Sequence, residues 1–480
     1  MFTSQTDAPP RAALSPPEIT AATLGSAAFR AAHGIRYAYV AGAMYKGIAS
    51  ADLVIQMGRA GLLGFFGTGG LRLEKVEQAI LQIKGALPEG TPFGMNLLCN
   101  LIKPDLEEST VDLFFQHDIR RVEAAAYTQI TPSLVRFRLK GLCRDSRGKI
   151  IVPHRIVAKV SRPEVAERFL APAPEKILQK LLQTQKISEQ EAILARSIPM
   201  ADDLCIEADS AGHTDNGVAY ALMPAMLRLR DEAMKTFAYP EQINVGAAGG
   251  LGTPHALAAA FILGADFVLT GSVNQCTVEA GTSDLVKDLL AGMNVQDTEM
   301  APAGDMFEMG ARVQVLSKGL FFAARANKLY DLYKQHECLE AIDPKTREQL
   351  ETRILKRSFE DIYRETKEFY LKIAPEQIER AERNPKFKMA LVFRWYFVQS
   401  SRLAQQGLPE GKVDFQIHCG PALGAFNQWV KGTPLEDWRT RHVDEIAELL
   451  MKGAASLLNQ RFRGWHGLAS ETDNLNRLVV

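Results

Sequence analysis

The sequence predicts an α/β fold: a closed (β/α)8 TIM barrel with a helical insertion and a C-terminal helical subdomain. Three observations predict it. Between residues 35 and 275, short apolar runs alternate with longer amphipathic ones, as parallel strands joined by crossover helices do. Eight such apolar runs occur within roughly 250 residues, the size of one closed barrel. Beyond about residue 300 the strand signal fades and the density of charge rises. A doubly wound open sheet is the alternative, because periodicity does not register whether a sheet closes.

The eight strand candidates, in order, are YAYVAGA (37–43), GLLGFFG (61–67), PFGMNLL (92–98), RRVEAAA (120–126), RIVAKV (155–160), DLCIEAD (203–209), INVGAA (243–248) and DFVLTG (266–271). Helical stretches separate them. In LEKVEQAILQIKGAL, Val76, Ile80, Ile83 and Leu87 recur at helical spacing on one face. One connection is long: residues 174–198 read as two helices, the second opened by a capping box with Ser188 at the N-cap and Glu191 at N3. This insertion would form a side wall or a lid. In the C-terminal region, TREQLETRILKRSFEDIYRETKEFYLKI sets Leu355, Phe359, Ile362, Phe369 and Ile373 along one face, and MALVFRWYFVQSSRLA follows as a more buried helix. The chain thus divides into a loose leader (1–24), a barrel (25–300), a mainly helical lid or substrate subdomain (301–463) and a polar tail (464–480).

Composition excludes several function classes. The 56 basic residues balance 56 acidic ones, which argues against a dedicated nucleic-acid binder. No run approaches the ~18 to 20 uninterrupted apolar residues of a membrane helix, and the start of the chain lacks the basic and apolar segments of a secretion signal. The six cysteines are far apart, with no C-x-x-C pair and no zinc spacing, so they read as reduced thiols in a cytoplasmic protein that needs no metal.

The chemistry of a parallel barrel gathers at the C-terminal ends of its strands. After the seventh strand comes A-A-G-G-L-G, then a helix with Pro254 in its first turn; after the eighth comes TGSVNQ. Small residues let backbone N–H groups approach a ligand, and two such turns side by side form a phosphate site. The spacing G-x-x-G-G-x-G over 246–252 is neither the Rossmann fingerprint nor a Walker loop, so a mononucleotide phosphate fits best. The bland alternative is a tight turn made by Gly249, Gly250 and Gly252. Three other strand ends add polar groups: Asn96, Lys159, and the trio Asp209, His213 and Asp215. A flavin would use all of these kinds, since its pyrimidine edge needs donors and acceptors and its reduced form gathers negative charge that a lysine offsets. Each also has a structural reading: Asn96 tying down a neighbouring loop, Lys159 paired with a carboxylate, His213 packed for stability.

Several longer stretches carry a resemblance: VAGAMYKGIAS, PFGMNLL, EAAAYTQITPSLV, AKVSRPEVA, EADSAGHTDN, NVGAAGGLGTP, LGADFVLTGSVNQCTVEAGTS, APAGDMFEMGARVQVLSKG and HCGPALGAFNQWVKGT. Over roughly residues 25–460 the chain resembles the nitronate monooxygenase/FabK-type group of FMN barrels, and most closely its PfaD-type branch of trans-acting enoyl reductases. That resemblance implies bound FMN, with the backbone of Gly42, Ala43 and Met44 beneath the ring system, Asn96 and Lys159 at its polar edge, and Ala248, Gly249, Gly250, Gly271 and Ser272 around the phosphate. It implies NADPH, or NADH in its place, as hydride donor. His213 then corresponds to the histidine of the family's G-H motif and, with Lys159, is the catalytic candidate. Ala211 departs from the glycine common at that position.

The implied activity is reduction of the α,β-double bond of an enoyl thioester on an acyl carrier protein, during polyketide or polyunsaturated fatty acid synthesis. The alternatives are a nitronate monooxygenase and a non-catalytic flavin-binding subunit of a megasynthase. Cys276 follows the phosphate turn directly and reads as structural rather than as the attacking thiol of IMP dehydrogenase-like barrels. Arg353, Lys356, Arg357 and Arg364 form a basic group that would suit an acidic carrier protein, or else a solvated helix face. A homodimer stays open.

Overall fold

The computed structural model describes residues 18–100 and 103–465. All eight strand candidates form strands: β1 (Tyr39–Ala41), β2 (Leu63–Phe66), β3 (Gly94–Leu98), β4 (Arg121–Ala125), β5 (Arg155–Val160), β6 (Asp203–Glu207), β7 (Asn244–Ala248) and β8 (Val268–Thr270). Each pairs in parallel with its sequence neighbours, and β1 pairs with both β2 and β8, so the sheet closes into a barrel. The open-sheet alternative is excluded by that last pair. The N-terminal end is plugged by the helix Ala27–His33. Phe29 stacks on Phe267 at 4.1 Å, and buried His33 donates from Nε2 to Asp203 at 2.8 Å. The plug leaves the opposite, C-terminal end of the strands as the mouth.

The 174–198 insertion forms helices Glu175–Gln183 and Glu189–Ala195, and both halves of the Ser188/Glu191 capping box are made. Glu191 also accepts from the Gly141 amide, tying the insertion to the chain ahead of the hairpin Cys143–Arg144/Ile150–Ile151 that leads into β5. It is a side wall on the outside of the barrel, not a lid.

The chain beyond residue 300 is mainly helical, as expected, and opens on an antiparallel hairpin that the fading strand signal did not reveal. Thr298–Pro302 and Arg312–Leu316 are antiparallel strands, and the second also pairs with the two-residue strand Gly212–His213 after β6. A helical region follows with its own core, in which Phe322, Leu329, Phe359, Met389 and Phe393 are buried together with Ala301, Ala303, Phe307 and Val313 of the hairpin. Within it the expected continuous helix breaks: a π-helical turn at Leu350–Ile354 ends near Lys356, whose φ is +56°, and Ser358 caps a new helix, Phe359–Ile373. Of the expected face, Leu355, Phe359 and Ile362 are buried, while Phe369 and Ile373, on the last turns of the same new helix, are exposed. From about residue 415 the chain returns to the barrel. Phe415, Ile417, Leu423, Phe426 and the helix Val443–Trp465 bury their apolar side chains in the barrel's own core.

The expected leader is not loose at its end: Ala21 and Leu24 are buried, and the Ile19 backbone both donates to and accepts from the Asn459 side chain, at 3.0 and 2.7 Å. Residues 1–17, and all but the first two residues of the expected 464–480 tail, lie outside the described residues; Gly464 and Trp465 end the last helix.

Candidate active site

At the first strand end, Gly42 donates to the Thr270 carbonyl at 3.0 Å and Ala43 donates to Glu123 Oε2 at 2.9 Å. The loop is held down from the far side as well. A Cβ on Gly67 would lie 1.6 Å from the Met44 carbonyl oxygen, so only glycine admits this close approach. Gly42, Ala43 and Met44 thus form a fixed backbone ledge, but the Ala43 amide is committed to a carboxylate rather than free for a ligand.

Glu123 was not among the sequence candidates and is central to the site. It lies on β4, fully buried, between Ala43 and Lys159 of β5. Lys159 Nζ stands 2.8 Å from Glu207 Oε1 and 3.4 Å from Glu123 Oε1, so the lysine joins two carboxylates from the strands on either side of it. Burial opposes the charge on Lys159, but Glu207 and then Glu123 outweigh it and raise its pKa. Burial pushes the Glu123 carboxyl upward, with Lys159 and the Ala43 amide opposing. The paired-lysine reading is therefore present in the structure, and Lys159 reaches the mouth as a cation already paired with carboxylates rather than a bare one. Asn96 is buried beside them and donates to the Glu123 carbonyl at 3.0 Å, while its own carbonyl accepts from Thr68. Its amide fixes β3 to β4.

The two glycine turns separate by role. A Cβ on Gly252 would come 1.9 Å from the Ala422 carbonyl oxygen, and one on Gly249 2.6 Å from that of Asp209, so these positions exist for backbone packing. Gly250, at φ +72°, and Gly271 have no atom within 4 Å of where a Cβ would stand. Both border open space at the ends of β7 and β8. Among the described residues, the amides of Gly249, Gly250, Gly271 and Ser272 donate to no other group of the chain. Ser272 Oγ accepts from the Gly420 amide at 3.0 Å, and Ala248 ends β7 beside Ala208. Unspent N–H donors around an opening are the feature an anion requires, so the residues present fit a mononucleotide phosphate.

His213 sits on the short strand after β6, its side chain 48% exposed, and donates from Nε2 to Asp305 Oδ1 at 3.0 Å. Asp215 is engaged elsewhere, with Ser161 and Arg162 of the loop after β5. Asp209 accepts from Asn216 and Gln314. A second histidine, His418, stacks on Tyr45 at 5.1 Å, one residue beyond the Gly42–Met44 ledge. It lies within the stretch HCGPALGAFNQWVKGT, but nothing in that stretch alone tells which strand end it reaches. Cys276 is buried against Arg441 and the Lys287 carbonyl, and burial raises its thiol to about 11, far from a nucleophilic thiolate. In the basic group, Lys356 pairs with Asp414, Arg357 with Glu365 and Arg364 with Asp361, which describes a solvated, charge-paired surface. Among the described residues no cluster of side chains suits a metal ion, and no helix is long and apolar enough to cross a membrane.

Comparison with known proteins gives this geometry a family. The nitronate monooxygenase family model matches residues 27–319, and a model described as the inserted helical domain of acyl-carrier-protein S-malonyltransferase matches residues 336–415. Polyketide biosynthesis protein PksE of Bacillus subtilis is 58% identical over 95% of the chain, and ThaF of Burkholderia thailandensis is 52% identical over 92%. The chain spans only 59% and 37% of those two relatives. A polyunsaturated fatty acid synthase component from Thraustochytrium is 44% identical over 87% of the chain, which spans 28% of that relative. Among solved structures, the enoyl reductase domain of MlnA, from the macrolactin cluster of Bacillus amyloliquefaciens, superposes with a TM-score of 0.89 at 46% identity, covering 92% of this chain and 99% of that one. FabK of Thermotoga maritima, at 17% identity and a TM-score of 0.55 over 91% of this chain and 98% of that one, shares the fold. The chain belongs to the nitronate monooxygenase family of TIM barrels, in the PfaD-type enoyl reductase branch that accompanies polyketide and polyunsaturated fatty acid synthases.

Proposed function

We propose that the protein binds FMN and uses NADPH, or NADH in its place, to reduce the α,β-double bond of enoyl thioesters carried by an acyl carrier protein acting as a separate partner. The observation that carries the reading is the opening at Gly250 and Gly271, bordered by unspent backbone amides, at the same mouth as His213. The Gly420 amide binds Ser272, and a Cβ on Gly420 would stand 3.3 Å from the Ala211 amide nitrogen, so the phosphate turn and the His213 loop meet there. When bound, FMN supplies two-electron storage: hydride taken from a nicotinamide and given to the β-carbon of the enoyl group.

The chain's own residues do the remaining work. Gly249, Gly250, Gly271 and Ser272 would hold the phosphate through N–H donors, with Ala248 setting where the turn begins. Gly42, Ala43 and Met44 would support one face of the ring system. Lys159 and Asn96 would stand at its polar edge, where Lys159 would offset negative charge gathered on reduction. Glu123 and Glu207 hold the lysine in place. His213 supplies the proton that the α-carbon takes up, since an imidazole exchanges protons near neutral pH. Relatives named for polyketide and polyunsaturated fatty acid synthesis support a carrier-bound substrate.

The test has two arms. Purified protein reconstituted with FMN is reduced with NADPH in the absence of oxygen and offered a crotonyl thioester on a carrier protein; separately, the oxidised protein is offered a nitronate in the presence of oxygen. Reoxidation by the enoyl thioester, with formation of the saturated thioester, is expected. Turnover by nitronate alone would establish the monooxygenase reading that the family model favours, and failure to bind FMN would sink both.

A further inference from the structure

The proposed reduction consumes a proton as well as a hydride, and three titratable side chains converge beside the mouth without belonging to any barrel strand. All are aligned by the strand Arg312–Leu316. His213 lies opposite Val313 in the sheet, His418 forms a bridge to Val315, and Asp305 stands on the connection leading into the strand. That connection is seated on the helical region: a Cβ on Gly304 would lie 2.6 Å from Phe397 Cβ, and Ala303 and Phe307 on either side are buried in the subdomain core.

The two histidines have opposite surroundings. His213 and Asp305 are both substantially exposed, within reach of solvent and substrate, and joined at 3.0 Å. His418 stacks on Tyr45, bonds to Gln416 at 2.8 Å, and has Gly212 pressed against it, where a Cβ would come 3.3 Å from Nδ1. Burial, then the neighbouring charge of His213, push the His418 pKa down to about 4. Burial also opposes charge on His213, but the hydrogen bond to Asp305, the Asp305 charge and Glu207 together raise its pKa. The charged groups around the pair are Asp305 from the connection, Glu207 at the end of β6, and Lys46 behind His418. Asp209, in the same loop, is occupied by Asn216 and Gln314.

We propose that Asp305 is a positioning residue that makes His213, rather than His418, the proton donor of the reductive step. The inference rests on the enoyl reductase reading. The carboxylate accepts the Nε2 proton in a hydrogen bond, which fixes the ring and leaves the Nδ1–H of the imidazolium as the bond to be broken. Hydride addition to the β-carbon leaves an electron pair shared between the α-carbon and the thioester oxygen. The α-carbon forms its new C–H bond with the Nδ1 proton, the N–H electron pair stays on the now neutral imidazole, and the thioester carbonyl re-forms. Asp305 stays a carboxylate throughout, and solvent returns the proton. His418 remains uncharged, so no second cation beside it lowers the proton affinity of His213. Because Asp305 is held by the subdomain core, the donor is complete only while the subdomain is docked on the loop after β6.

The test compares the flavin-loaded protein with Asp305→Asn, which removes the charge at an exposed position and keeps the shape. Histidine side-chain NMR titrations, with His213 assigned by His213→Gln, should show the His213 pKa falling by about one unit, as loss of a neighbouring carboxylate requires. The alkaline limb of kcat for crotonyl-thioester reduction should move to lower pH by the same amount, with flavin reduction by NADPH unchanged and Asp305→Glu restoring much of the shift. His213→Gln should abolish that limb and His418→Gln should keep it. An unchanged His213 titration in Asp305→Asn would overturn the pairing, and a limb that survives His213→Gln would overturn the donor assignment. A shifted titration in a protein that turns over no enoyl thioester would instead defeat the reductase reading and, with it, the donor role.

Discussion

Lys159 shows how one residue answers two questions at once. It is 14% exposed, pinned between Glu123 and Glu207, and removing it strands two carboxylates in a poorly solvated barrel mouth. Lys159→Ala should therefore cost about 3 kcal/mol of stability, the lower end for breaking a buried ion pair, because Glu123 can take up a proton. If the lysine also faces the flavin's polar edge, FMN should bind about tenfold more weakly, or roughly 1.4 kcal/mol. Urea unfolding of flavin-free protein measures the first effect and flavin fluorescence titration the second; a stability loss with unchanged FMN affinity would confine Lys159 to a structural role. The lysine and Asn96 stood out in the sequence because each is a polar residue set within an apolar strand run. Glu123 did not. RRVEAAA reads as any strand with charged residues near its start, and the partners that explain the burial of Glu123 come from residues 43 and 159. His418 and Asp305 were hidden for the same reason: they reach His213 through pairings more than 90 residues away in the chain.

At the scale of single elements, the turn after β7 contains glycines that look alike in sequence and differ in duty. Gly252→Ala would drive a methyl into the Ala422 carbonyl at the start of the helix Pro421–Trp429, so the helix must shift. A loss of about 1–3 kcal/mol follows from overpacking of this kind. Gly250→Ala meets no atom, and its only intrinsic penalty is the left-handed backbone, about 1–2 kcal/mol. Its methyl would project into the opening, so FMN affinity should fall by about tenfold or more at Gly250 and less at Gly252. Thermal melts and FMN titrations on flavin-free protein separate the two; equal FMN loss at both positions would mean that the opening is not the phosphate site. The barrel strands and the Ser188 capping box were readable because their signals are local: periodicity over a few residues, or two side chains three apart. The strands Thr298–Pro302 and Arg312–Leu316 were missed because their runs mix polar and charged residues with apolar ones, one ends in proline, and the loop strand that completes their sheet lies some 100 residues earlier.

For the molecule as a whole, two cores carry two tasks. The barrel core includes the returning segment from Phe415 to the last helix, whereas the subdomain core joins Phe393 to the hairpin that presents Asp305. The division was only partly legible, since composition changes near residue 300 but a helix that packs on the barrel reads no differently from one that packs on other helices. Phe393 is fully buried and meets Phe359 edge-on at 6.2 Å, so Phe393→Ala should cost about 3–5 kcal/mol, felt within the subdomain. Hydrogen exchange should then quicken across Phe359–Ile373 and Pro385–Gln406 while β1 to β8 keep their protection. FMN should stay bound and remain reducible by NADPH, yet enoyl turnover should drop, because Ala303 and Phe307, which flank Asp305, lose the packing that holds them. Leu450→Ala, in the helix Val443–Trp465 against the barrel, should give the reverse, with weakened flavin retention and a protected subdomain. If Phe393→Ala instead released FMN and left turnover per bound flavin unchanged, the subdomain would be supporting the cofactor site rather than the proton donor.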